Sequence, residues 1–211
     1  MTSFGIKVLA VLLMVIDHIG LVFFPDQLVL RYLGRLSFPL FAWLLGQGEK
    51  HTKDVFAYLL RIVTWALISQ PIYFFLLHNG QLNILFTLAL GLVALSLPKL
   101  TGAKYLVWIA TAIVAQVINV DYGAYGIFAV ILLSQFSPGS ILWWAGWDAL
   151  NISILLIPIF APYQVLAVIA PAILIYWNGK QGNKWKLFYL FYPLHFALLY
   201  IASLLLKSAA A

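Results

Sequence analysis

The chain has 211 residues, of which 64% are hydrophobic and only 9% charged, against roughly 45–50% and 25% in an ordinary soluble domain. That balance excludes a soluble globular enzyme, a disordered segment and a free nucleic-acid binder. The net charge of +6 comes from twelve lysines and arginines against six acids. Most of the lysines fall in short polar breaks, where they orient membrane helices rather than contact nucleic acid. There are no cysteines, which excludes disulfides, thiolate metal sites and an acyl-cysteine intermediate. No metal is expected.

Apolar runs cover 6–24, 30–48, 55–77, 82–98, 104–119, 123–137, 139–160, 162–178 and 187–206, separated by Pro-, Gly-, Asn- and Lys-containing breaks. Such runs are too long for soluble strands. They predict an all-α, polytopic transmembrane helix bundle of about nine spans, with eight or ten as variants, in a single domain over 1–211. At roughly 20 residues each, nine spans leave about 30 residues for connections. The final 208–211 read as an extraneous low-complexity tail. No small-residue cleavage site follows the first run, so the first helix is expected to be retained.

Counting charges orients the bundle. With a cytoplasmic N-terminus, Lys7, Lys50, Lys53, Lys99, Lys104, Lys180, Lys184 and Lys186 fall inside, and only Arg31 and Lys207 fall outside. That alternation satisfies the positive-inside rule and predicts a multi-pass membrane protein in contact with lipid. Tyr105, Trp108, Tyr163, Trp177 and Trp185 suit interfacial belts.

Ionisable residues inside the runs are costly, about 2.5–3.5 kcal/mol each near the bilayer centre, and need partners or a water-filled cavity. Lys7 and His18 are eleven residues apart. Eleven residues make about three turns, so both share one helix face, roughly 16 Å apart, with Val11 and Met14 between them. Asp17 points about 100° away from His18 and matches Arg35 of the next run in depth, so an Asp17–Arg35 ion pair is expected. Arg31 lies one turn above Arg35. Lys50, His51, Lys53, Tyr58 and Arg61, together with Lys7, make a basic mouth suited to a phosphorylated ligand. Asn83 and Thr87 share a face further in, Asp121 and Tyr122 mark the outer turn, and Asp148 pairs in register with Asn151. Tyr192 and His195 are spaced i, i+3 in the last run, at a depth that matches His18.

Several motifs run in a familiar order: Met14-x-x-Asp17-His18-Ile19-Gly20, Gly34-Arg35-x-x-Phe38-Pro39, Gly48-x-x-His51-Thr52, Tyr58-x-x-Arg61, and Ser69-Gln70-Pro71. Leu82-Asn83-x-x-x-Thr87, Asp121-Tyr122-Gly123-x-x-Gly126 and Tyr192-Pro193-x-His195 follow. Over about 190 residues this order resembles the TraX family of polytopic inner-membrane proteins, whose name-giving member acetylates the N-terminus of conjugative pilin. The Lys7-x10-His18 spacing also resembles a motif of the acyltransferase-3 membrane family, in which the histidine is catalytic. These resemblances imply an acetyltransferase of the bacterial cytoplasmic membrane that draws acetyl-CoA from the cytoplasm.

On that expectation His18 is the general base, Asp17 and Arg35 hold local charge, and Arg35, Asn83 or His195 supplies the oxyanion donor. Lys7, Lys50, His51, Lys53, Tyr58 and Arg61 bind the coenzyme. Asn83, Thr87, Asp121, Tyr122 and Tyr192 bind an envelope acceptor, either a protein N-terminus, a sugar or a lipid head group. The main rival is a proton-coupled transporter or flippase with an Asp/His/Arg relay. A non-enzymatic assembly factor is a further rival. An intramembrane protease lacks its Gly-x-Ser-Gly or Gly-x-Gly-Asp motif here.

Overall fold

A computed structural model describes residues 1–155, 162–183, 185 and 187–209. The end of the run at 139–160, the break at 161, Lys184, Lys186, the last two residues of the tail and the side chain of Tyr163 lie outside the described residues.

The described chain is helical, and its helices follow the apolar runs: α1 (Ser3–Phe23), α2 (Leu28–Gly34), α3 (Ser37–His51), α4 (Val55–Leu77), α5 (Ile84–Thr101), α6 (Lys104–Val117), α7 (Gly123–Ser134) and α8 (Ile141–Leu155). A 3-10 segment (Pro162–Ile169), α9 (Ala170–Leu174) and α10 (Phe188–Ala209) complete it. Polar residues start the helices as their chemistry requires. Thr2, Asp54 and Asn83 accept from the free amides of the first turns of α1, α4 and α5, at 3.1, 2.8 and 3.1 Å. Gly102 closes α5 in the left-handed region, at φ 70°.

Among the described residues, five helices are long and apolar enough to cross a bilayer: Ser3–Phe23, Leu28–His51 taken across the Arg35–Leu36 step, Val55–Leu77, Ile84–Thr101 and Phe188–Ser208. The apolar helices Lys104–Val117 and Gly123–Ser134 are shorter. At 1.5 Å per residue they fall well below a hydrocarbon thickness of about 30 Å. The outward faces are oily: Leu100, Leu106, Val117, Ile141 and Leu142 are all exposed, as a lipid-facing surface requires.

The short α7 is the centre of the bundle, with Tyr125, Ile127, Ala129, Val130, Ile131 and Leu133 buried. Small residues bring it close to its neighbours. A Cβ at Gly46 of α3 would meet Ser134 at 2.8 Å, one at Gly91 of α5 would meet Val130 at 3.0 Å, and one at Gly126 would meet Thr87 at 2.5 Å. Close backbone approach of this kind drives helix association where lipid offers no hydrophobic contrast.

Helices alternate in direction, so the chain has two ends. One end carries Lys7, Lys50 and Lys53, and there Lys99 pairs with the buried Glu49 at 2.6 Å. The first residues are laid along 178–181 at this end, with Ser3 N–H donating to Lys180 O and Phe4 N–H to Gln181 O, both at 2.9 Å. At the opposite end the turn before α5 is stitched to the turn before α7: Leu82 N–H donates to Asn119 O at 3.0 Å, and Asp121 N–H to Leu82 O at 2.8 Å.

Candidate active site

Among the described residues, cavities enter the bundle from both ends. The first, about 390 Å³, is lined by Lys7, Val11, Met14, Tyr58, Arg61 and Tyr189, with Trp177 and Trp185 at its rim. The second, about 700 Å³, is lined by Asp17, His18, Arg31, Arg35, Asp121 and Tyr122 among others. Met14, Phe41, Ile84 and Tyr192 line both. The Lys7–Val11–Met14–His18 stripe of α1 therefore passes from one cavity to the other, with Met14 in the shared wall.

In the first cavity the Lys7 ammonium sits 4.5 Å from the centre of the Phe188 ring, a cation–π contact. His51 also lines this cavity, its Nδ1 2.7 Å from Gln47 O. The Arg61 guanidinium lies 5.7 Å from the Tyr58 ring, and Tyr189 lines the same cavity. Gly48 is what admits Tyr58, since a Cβ there would lie 2.7 Å from the phenol oxygen. Lys50 is not part of this mouth: its ammonium turns to Ser134 O at 2.5 Å, closing the last turn of α7. Lys53 is exposed and lines neither cavity.

In the second cavity Asp17 Oδ2 binds two guanidiniums, Arg31 Nη1 at 2.9 Å and Arg35 Nη2 at 2.5 Å. The expected Asp17–Arg35 pair is present, with Arg31 added. The break between α2 and α3 at Arg35 lets both arginines reach one carboxylate, because Gly34 abuts Asp17 without a side chain. Arg35 Nη1 also donates to the Tyr122 hydroxyl at 3.0 Å. Tyr122 is held at φ 65°, an uncommon conformation for a residue with a Cβ, and its ring stacks on Phe38 at 4.3 Å. Beside it, in the turn before α7, removal from water pushes the Asp121 carboxyl up to about 6, against the opposing pull of Arg35.

His18 and His195, 177 residues apart, meet: His195 Nε2 is 3.0 Å from His18 Nδ1. His195 Nδ1 lies 3.2 Å from Phe191 O. The His18 ring rests on Phe196 at 4.7 Å between centroids. His18 lines the second cavity, whereas Lys7 lines the first, so the two ends of their shared helix face serve opposite openings.

Asn83 and Thr87 line neither cavity. The Asn83 amide donates to Ala66 O and Gln70 Oε1, both at 2.8 Å, and the Thr87 hydroxyl donates to Asp121 O. Both residues are consumed in joining α4 to α5 and α5 to the turn before α7. Asn151 is buried and accepts from Tyr125 at 3.1 Å. Tyr189 escaped the sequence reading, although Tyr189, Tyr192 and His195 recur every third residue on one face of α10.

The fold and site define an integral-membrane helix bundle built around a buried, ionisable centre between two opposed cavities. The profile described as TraX protein matches residues 4–203, and the chain belongs to the TraX family. It is 29% identical over 237 aligned positions, covering 98% of this chain and 97% of the relative, to a probable fimbrial assembly protein FimC, serogroup H1, of Dichelobacter nodosus. It is 35% identical over 88 positions, 41% of this chain and 33% of the relative, to an uncharacterized protein of Rickettsia prowazekii (strain Madrid E). No solved structure matches.

Proposed function

We propose that the protein is a membrane acetyltransferase. It takes acetyl-CoA into the Lys7/Arg61 cavity from the cytoplasm and passes the acetyl group to an amine or hydroxyl of an envelope acceptor in the Asp17/His18/Arg35 cavity. The observation that carries this reading is the common wall: two cavities from opposite ends meet at Met14, Phe41, Ile84 and Tyr192, with an imidazole immediately behind it. A thioester can thus be brought to an acceptor without either substrate crossing the membrane. The lysine-rich end is then cytoplasmic, and the membrane is the bacterial inner one.

In this scheme Lys7, His51 and Arg61 hold phosphates and Trp177 and Tyr189 flank them, while Val11 and Met14 line the path of the pantetheine arm. His18 removes the acceptor's proton as the acceptor attacks the thioester carbonyl. The coenzyme thiolate leaves and is protonated. The charge excess at Arg31 and Arg35 favours the oxyanion. General-base catalysis contributes about 10²–10⁴-fold, so His18→Ala lowers kcat by that order, whereas Lys7→Ala raises KM for acetyl-CoA. The test is label transfer from [14C]acetyl-CoA, with free thiol release, by purified protein in nanodiscs. Full activity of His18→Ala would remove the base assignment.

The same paired cavities suit alternating access, which keeps a transporter as the second reading. Substrate-dependent proton flux in proteoliposomes without consumption of acetyl-CoA would decide for it.

A further inference from the structure

We infer that His195 is a positioning residue that fixes the tautomer of His18, so that Nε2 of His18 is the basic atom and Nε2 of His195 is not an oxyanion donor. The inference rests on the acetyltransferase reading for its catalytic meaning, but its structural content stands on three contacts. Phe191 O can only accept a hydrogen bond, so the ring nitrogen facing it, His195 Nδ1 at 3.2 Å, carries a hydrogen. A neutral imidazole has one N–H, so His195 Nε2 is bare. That bare nitrogen lies 3.0 Å from His18 Nδ1, which must therefore be the donor. His18 is left with its lone pair on Nε2, the far edge of the ring, and among the described residues no hydrogen bond occupies that atom.

The placement of the two rings agrees with the polarity of the chain. His18 lines the Asp17/Arg35 cavity, and His195 lines neither cavity. His195 is instead packed behind, against Phe196 at 4.2 Å and parallel to Phe191 at 5.5 Å. One imidazole faces the substrate and the other backs it, as a carboxylate backs the histidine of a hydrolase triad. Here the backing group is neutral, which suits a site already flanked by two guanidiniums and buried in a membrane, where an added carboxylate would have to be desolvated.

The proton path balances. As the acceptor oxygen or nitrogen bonds to the acetyl carbon, its proton passes to His18 Nε2. The His18 Nδ1 proton can then move to His195 Nε2, leaving His18 neutral and His195 as an imidazolium whose Nδ1–H still points at Phe191 O. As the carbon–sulfur bond breaks, the protons return along the same path and the thiolate leaves as the thiol.

The test uses the full chain in nanodiscs with [15N]histidine. It contains four histidines, so single substitutions assign each ring. Nitrogen spectra of the neutral form are expected to show both His18 and His195 protonated at Nδ1. In parallel, His195→Ala is expected to lower kcat on the order of 10²-fold or more by releasing the tautomer, with KM for acetyl-CoA unchanged. His195→Gln places an amide oxygen where Nε2 was, still accepts from His18 Nδ1 and restores much of the rate, which a residue needed only for packing would not predict. A neutral His18 protonated at Nε2, or a His195→Gln rate no higher than that of His195→Ala, overturns the inference. A wild-type protein that transfers no acetyl group would instead defeat the acetyltransferase reading, while the spectra still decide the tautomers.

Discussion

Replacing Asp17 with Asn is the most informative single change for the stability of the centre. The Asp17 side chain is 10% exposed, and a single oxygen holds Arg31 at 2.9 Å and Arg35 at 2.5 Å. The two guanidiniums are therefore within about 5 Å of each other, and Asp17 bonds both. Because the group lines an open cavity, an effective dielectric near 20 is appropriate. Coulomb's law then gives about 3 kcal/mol of repulsion uncovered when the negative charge is removed. Losing one partner of a buried ion pair costs about 3–5 kcal/mol in measured cases. For a chain of this length, 1 kcal/mol shifts Tm by about 2–4 °C, so Asp17→Asn should unfold roughly 6–20 °C below wild type in detergent. The matching variant Arg35→Gln on the Asp17→Asn background should recover part of that loss, since it removes the repulsion. Thermal unfolding followed by tryptophan fluorescence measures both. An Asp17→Asn protein melting within about 2 °C of wild type would show that water in the cavity neutralises the arginines and that the electrostatic reasoning is wrong.

Two further outcomes follow from single contacts. Gly48→Ala pushes a methyl onto the Tyr58 hydroxyl, 2.7 Å away, so it should raise KM for acetyl-CoA several-fold and leave kcat nearly unchanged; initial rates across acetyl-CoA concentrations check it. Asp121 ionises near 6 in the folded protein, above its ordinary 3.8, so its protonated form favours folding. Stability contributed by that proton is present below pH 4 and is lost as pH rises through 6. Asp121→Asn should flatten this decline between pH 4 and 6, and an identical pH–Tm curve for the variant would count against the buried carboxyl.

The membrane class and the helical runs were legible in the amino acids alone. Periodicity sets the face and rise of every side chain on its own helix, which is enough to align Lys7 with His18, to match Asp17 with Arg35, and to level His18 with His195. Which helices abut is another matter, because it depends on contacts between distant segments. Gly46 against Ser134 and Gly91 against Val130 make α7 the hub. That arrangement turns Lys50 to a carbonyl of α7, absorbs Asn83 and Thr87 into helix joints, and divides the Lys7–His18 face between two cavities. It also brings His195 Nε2 to His18 Nδ1, an atom-to-atom meeting across 177 residues. A one-dimensional pattern has no term for such a contact, because the pairing of rings is set by how whole helices pack and not by the spacing within any one of them.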